Sequence, residues 1–456
     1  MDGGNDFSRG SVRRGILKMA GPMTLAQLIN ILYNLVDRMY IGHIPGAGAL
    51  ALTGLGLCLP VISMVMAFAL LAGRGGAPLC SIERGRGDLE TAEQIMGNTF
   101  TLLLLFAAAL TLLGELFLRP LLYAFGASDE TIGYAVSYAR IYLAGNLFVL
   151  ISLGMNPFIN AQGFAKTGMM TTLLGAAANI ILDPLFIFVL GWGVRGAALA
   201  TVISQGLSAL WVLRFLTGER AILRLRLRHL PLHWPWVRKI LALGFSGFVM
   251  AMTNSVVQVV CNSVLSVFGG DLYVGIMTVI NSVREIVTMP VMGITGGAEP
   301  VIGFNYGAGK PRRVRQGIAF ISLCSLCWSA LVWLAVRLFP GALIRIFNGD
   351  PALVTAGIPA MHLYFSVFFM MSLQFAGQSS FVALGKSGRA IFFSIFRKVI
   401  IVTPLTLLLP RMGLGVSGVF WAEAISNILG GVACFGTMLL TIYIPLGRQA
   451  REASTK

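Results

Sequence analysis

Apolar residues run through this chain in long blocks, and short links between the blocks carry most of its charge. A helix rises about 1.5 Å per residue, so about 20 apolar residues cross the roughly 30 Å of hydrocarbon in a bilayer. The blocks predict membrane spans near residues 16–41, 49–73, 95–118, 131–155, 166–190, 195–216, 239–267, 273–296, 316–338, 353–376, 389–410 and 415–444. The pattern predicts an all-α integral membrane protein of twelve transmembrane helices.

Composition agrees. Only 11% of the 456 residues are charged and 56% are hydrophobic, too little charge to cover a water-soluble surface. The net charge of +16 would suit nucleic acid if Lys and Arg formed a basic face. They lie instead in the links, which argues against a nucleic-acid partner and reads as topology. With the N-terminus in the cytoplasm, Arg84, Arg86, the basic stretch Arg214 to Lys239, Lys310 to Arg315, Lys386, Arg389 and Arg448 face inward. Only Arg119, Arg195, Arg337, Arg345 and Arg411 face outward. That asymmetry predicts both termini on the cytoplasmic side. The first apolar run follows Arg9, Arg13, Arg14 and Lys18 and continues through Asn30, Asn34 and Asp37 without a cleavage site, so it is read as the uncleaved first span. Of six cysteines only Cys324 and Cys327 are spaced as CxxC, mid-helix and without a second ligand pair. They are expected to be packing residues, with no metal or redox cofactor.

The chain also repeats. The end of span 2, GRGGAPLCSIERGRGDLETA, is answered by TGGAEPVIGFNYGAGKPRRV at the end of span 8, with Pro78, Gly85 and Gly87 matching Pro300, Gly307 and Gly309 at an offset of 222 residues. Gly193 and Gly196 match Gly415 and Gly418 at the same offset. An even number of spans per half gives a parallel repeat about an axis along the membrane normal. The expected division is 1–216, a basic cytoplasmic linker at 217–238, and 239–456.

Polar groups inside a bilayer are costly and need a reason. On span 1, Gln27, Asn30, Asn34 and Asp37 recur at spacings of three and four and so share a helical face. Span 5 places Asn179 one turn before Asp183, with Pro184 withholding a backbone donor beside the carboxylate. Span 6 adds Thr201. Two acids with amide and hydroxyl oxygens and no sulfur suit a hard cation or protons; a sodium ion could sit at Asp37, Asn179 and Asp183. The repeat sets Val260 opposite Asp37 and Thr403 opposite Asp183, so the cation site is expected in the N-terminal half. Glu285, beside Arg284 on span 8, either attracts a cationic substrate or pairs with Arg397, His362 or Arg284. Glu299 and Glu423 are read as structural, and Arg140 as an internal counter-ion. The 20 Met and 29 Phe can repack around unlike lipophilic cations.

The segments NLVDRMYIG, GFAKTG, NIILDPLFIFVLGWGVRGAALATVIS and PVIGFNYGAGKPRRVR resemble the multidrug and toxic compound extrusion (MATE) transporters, and the likeness covers nearly the whole chain. The resemblance implies a V-shaped pair of six-helix lobes that exports substrates in exchange for sodium or protons. Its cation-site pattern falls on Asp37, Asn179, Asp183 and Thr201, with the carbonyl of Ala197 as a further ligand. Asn30, Tyr138 and Asn156 match positions that line the same lobe, and Asn34 shares the face of Asn30. One branch of the family carries acids on spans 7 and 10, where this chain has Asn254, Gln258 and Asn262, and His362, Gln374 and Gln378; no cation site is expected in the C-terminal half.

The reading is therefore a cation-coupled antiporter that exports lipophilic, often cationic compounds by alternating access, a monomer among membrane lipids of a plasma membrane. A flippase for a lipid-linked sugar is the alternative. It needs several Arg or Lys lining its cleft to hold a diphosphate, whereas the basic residues here sit mostly in links. A channel would need a continuous pore. An enzyme is not expected: GRGGAP and GFNYGAGK lack the strand-to-helix setting of phosphate loops, and their glycines are read as the ends of helices 2 and 8.

Overall fold

Hydrocarbon leaves backbone N–H and C=O groups no solvent partner, so spanning segments close their hydrogen bonds internally as helices. The computed structural model describes residues 7–46, 48–125, 127–347 and 349–455, and all regular structure among them is helical. Among the described residues, nine helices are long and apolar enough to cross a membrane, or eleven with two bent pairs counted as one span each.

The chain divides into two units. The first comprises Gly21–Gly244 among the described residues. It holds most of α1 (Val12–Gly42), then α2 (Gly48–Arg86), α3 (Leu89–Ala124), α4 (Ile132–Ala144), α5 (Asn146–Ala161), α6 (Ala165–Pro184) and α7 (Gly193–Thr217). The second comprises Phe7–Ala20 and Phe245–Lys456. It holds most of α8 (Trp234–Gly307), then α9 (Pro311–Leu338), α10 (Pro340–Arg345), α11 (Pro351–Tyr364), α12 (Phe368–Ala383), α13 (Ser387–Ile395), α14 (Thr403–Leu408), α15 (Gly415–Met438) and α16 (Ile444–Thr455). At 74 residues α8 far exceeds one crossing, and Gly270, with φ 64° and ψ −166°, breaks it.

Two spans expected to be continuous are bent. The first, 131–155, breaks between α4 and α5 by 56°, and the other, 353–376, between α11 and α12 by 48°. A polar side chain forms a hydrogen bond beside each break. Buried Asn146 opens α5 and donates to the carbonyl of Ala107. Ser366, between α11 and α12, donates to the carbonyl of Leu363 at 2.8 Å.

The stretch GRGGAP, expected to end helix 2, lies inside it, whereas GFNYGAGK ends helix 8 as expected. α2 continues through Gly73, Gly75 and Gly76 to Arg86, and α8 continues through Gly297 to Gly307; the chain turns only at Gly87 and Gly309, where φ is 86° and 64°. The interior glycines permit close approach instead. A Cβ on Gly75 would lie 2.1 Å from the carbonyl oxygen of Ile240, and one on Gly297 would lie 2.7 Å from the backbone nitrogen of Ala20.

The basic segment 217–238 is held to the first unit by side chains that bond its backbone. Gln162 accepts from the Leu223 amide at 2.8 Å. Asn98 donates to the carbonyls of His229 and Pro231 and accepts from His233 N–H at 2.6 Å. Glu93 accepts from the Arg224 amide and pairs with Arg226 at 3.2 Å. In the second unit, the N-terminal segment is fixed similarly: Asn305 and Arg313 both donate to the carbonyl of Phe7, and Arg313 reaches those of Arg9 and Gly10.

Gly75→Val should cost about 1–3 kcal/mol through overpacking against a backbone that cannot retreat, read as a lower thermal midpoint of the purified protein in detergent. Gly133→Ala, where nothing lies within 4 Å of the new Cβ, should cause no loss. Equal midpoints for the two variants would count against the close-approach reading.

Candidate ion-binding site

The site is built where α6 loses its regular form. Pro184 has no N–H, so the carbonyl of Ile180 loses its helical donor, and the next five residues, Leu185–Val189, form a wider π turn closed by Leu190 N–H to the Leu185 carbonyl at 2.9 Å. α7 crosses this turn closely, because Gly196 has no Cβ to strike the Phe186 carbonyl, which would be 2.7 Å away. The crossing sets Thr201 against the last turns of α6.

Asn179 then bridges the two helices, donating to Asp183 Oδ1 at 3.2 Å and to Thr201 Oγ1 at 3.4 Å. Asp37, on α1, brings its carboxyl against that of Asp183. Asn179 and Asp183 are fully buried, Thr201 is 4% exposed and Asp37 is 7% exposed. Three oxygens here, Asp37 Oδ1, Asn179 Oδ1 and Asp183 Oδ2, are buried with no hydrogen-bond donor. Two carboxyls in contact cannot both stay ionised without a proton or a cation between them. The orphan oxygens are what a sodium ion would need, and its ligands would include an amide and a hydroxyl, since no group of three His, Cys, Asp or Glu side chains occurs among the described residues.

Of the residues expected at the site, Asp37, Asn179, Asp183 and Thr201 come together, with Tyr138 approaching Thr201 from α4. Ala197 is fully buried one turn before Thr201, but its carbonyl belongs to the continuous α7 ladder. Asn34 is exposed and donates to the carbonyl of Asn30 at 2.7 Å. Asn156 joins α5 to α6, donating to the Gly168 carbonyl and accepting from Thr171. Tyr33, which also approaches Thr201, was not singled out in the sequence, though it stands four residues before Asp37 and therefore on its face.

The second unit holds a different cluster. Glu423 on α15 accepts from Arg397 at 2.7 Å and Lys398 at 3.1 Å, and all three are buried. Arg397 therefore pairs with Glu423, whereas Glu285 is exposed on α8 and forms no ion pair among the described residues. Arg140 pairs with Glu115 at 3.1 Å, on a largely exposed face. Cys327 is also exposed, unlike the four buried cysteines Cys58, Cys80, Cys261 and Cys434.

A bundle of apolar helices with an internal repeat and buried polar clusters in each half defines a polytopic membrane transporter. The chain belongs to the MATE family: the MatE family model matches residues 22–185 and 247–408, once in each half. The chain is 24% identical over 424 residues to multidrug export protein MepA of Staphylococcus haemolyticus, with 92% of both chains covered. It is 24% identical over 447 residues to a protein of Shewanella oneidensis named FAD transporter, with 93% of this chain and 94% of that one covered. Its fold matches the crystal structure of a MATE protein in a bent conformation with a TM-score of 0.92, at 23% identity over 99% of this chain and 100% of the other.

Asn179→Ala leaves Asp183 and Thr201 without their shared donor and should cost about 1–3 kcal/mol, with loss of any stabilisation of the purified protein by sodium or by protons. Asn156→Ala should lower the thermal midpoint too, yet keep that ion response. A response kept in Asn179→Ala would count against its place in the site.

Proposed function

We propose that the chain is a cation-coupled antiporter that exports small lipophilic molecules across a plasma membrane by alternating access. The observation that carries this reading is the Asp37–Asp183 contact with its three donorless oxygens. Such a pair needs a proton or sodium ion, and its release and rebinding can bias a two-state carrier if ion and substrate prefer different states. Counting α8 as two crossings at Gly270 gives twelve helices, in two parallel repeats at 1–216 and 239–456 about the 217–238 segment, with both termini cytoplasmic. The protein works as a monomer.

The relatives' names support export of organic molecules and widen the range of charge: MepA is named for multidrugs and the Shewanella protein for FAD, which bears phosphates. Glu285, exposed and unpaired, suits a cationic drug. The flippase alternative requires several Arg or Lys lining the cleft; Arg397 and Lys398, buried in the second unit, are two basic residues outside the links.

In proteoliposomes with an imposed proton or sodium gradient, a fluorescent organic cation and a fluorescent organic anion are offered separately. One gradient should drive accumulation of at least one probe, and Asp183→Asn and Asp37→Asn should each lower it at least tenfold while still inserting. Wild-type accumulation in Asp183→Asn would remove the proposed site.

A further inference from the structure

The charge cluster of the second unit is unused by ion coupling. Arg397 and Lys398 are sequence neighbours, and on a regular helix their side chains would diverge by about 100°. They lie in a widened turn, Phe396–Val402, and both reach Oε1 of Glu423. Thr403 steadies the turn by donating to the Lys398 carbonyl at 2.9 Å. Arg397 also donates to Gln374 Oε1 at 3.1 Å, but its Nε, on a residue 4% exposed, is buried without an acceptor. Arg284 of α8 belongs to the same electrostatic neighbourhood, with Tyr364 and Glu423. It is partly exposed, and its guanidinium makes no hydrogen bond or ion pair among the described residues.

Two cations thus bond one buried carboxylate, and a third, Arg284, lies within its field. Even counting Glu285, exposed beside Arg284, positive charge remains in excess. Uncompensated charge within a membrane bundle is costly and marks a functional position, and guanidinium donors of this kind fit phosphate and carboxylate oxygens.

The repeat gives the cluster its place. At the offset of 222 residues Glu423 is the counterpart of Thr201, Tyr364 of Tyr142 and Gln374 of Ser152. The second half therefore sets a carboxylate, with its two cations, where the first half sets the hydroxyl of its acid site.

We propose that Arg284, Arg397 and Lys398 bind the anionic group, phosphate or carboxylate, of the transported molecule, with Glu423 and Gln374 holding Arg397 in position. This rests on the transporter reading and names its substrate class: amphipathic molecules with an anionic head, either free phosphoesters and carboxylates or lipids bearing such a headgroup.

Riboflavin and riboflavin 5′-phosphate share one fluorescent ring and differ by the phosphate, so their binding to the purified full chain tests the inference directly. The phosphorylated form should bind at least tenfold more tightly, with inorganic phosphate competing. Arg284→Gln, which breaks no native pairing, should erase most of that preference, and Arg397→Lys should reduce it. Equal affinity of wild type for the two flavins, together with no movement of a short-chain fluorescent phosphatidic acid between leaflets of proteoliposomes, would overturn the proposal. Movement of that lipid without flavin phosphate binding would assign the site to a headgroup; the reverse would assign it to soluble anions. Asp183→Asn separates the two readings. If the variant keeps wild-type gradient-driven transport while phosphate preference persists in wild type, the coupling site fails and the anion site stands. If gradient-driven transport of an organic cation depends on Asp183 but neither phosphorylated probe binds or moves, the anion site alone fails.

Discussion

A peptide group facing hydrocarbon has nothing to bond to but the chain itself, and the whole architecture follows from that restriction. Long helices meet it without help. Side chains bond beside several departures from regular helix: Asn146 donates to Ala107 of α3 beside the break between α4 and α5, Ser366 to Leu363 between α11 and α12, and Thr403 to Lys398 in the widened turn of the second unit. After Asp183 and Pro184 the departure is a wider turn. These irregular places are also where the polar clusters sit, because a turn that has left the regular ladder can aim neighbouring side chains at one point.

The same restriction sorts the buried charges. The first unit brings two acids together with amide and hydroxyl oxygens and leaves three oxygens unpaired. The second joins one acid to two adjacent bases. An acid pair has a variable charge set by proton or cation, whereas guanidinium groups stay charged at any physiological pH. The two halves thus differ in charge chemistry, although the family model matches each of them once.

Much of this was legible in the sequence. Hydropathy alone marked a helical chain of many spans, since lipid imposes a length on each, and Asn179, Asp183 and Thr201, picked out as polar residues in apolar runs, do meet. Asp37 was found because a carboxylate in an apolar run is conspicuous. What escaped detection depends on tertiary approach. Gly75 looked like a helix end and Gly297 was not singled out, but the role of both is set by the backbones of Ile240 and Ala20 opposite them, distant in sequence. Asn34 and Asn156 are as polar as Asn179, and periodicity cannot tell which amide meets a carboxylate and which satisfies a nearby carbonyl. Arg397 was noted only as a candidate partner of Glu285 and Lys398 was not singled out; their actual partner lies 26 and 25 residues away on another helix, and the widened turn that aligns them has no strong local signature.

The Glu423 cluster also bears on how such a chain diverges. Loss of one member of a buried ion group strands the others and costs about 3–5 kcal/mol, a large share of the margin that keeps a domain folded. Arg397, Lys398 and Glu423 thus constrain one another's replacement, and a path back to the Ala and Thr found at the corresponding positions of the first half must pass through stranded intermediates. A duplicated half that acquires such a group becomes difficult to revert by single steps, so the difference in polarity between the halves works as a ratchet in the history of the gene.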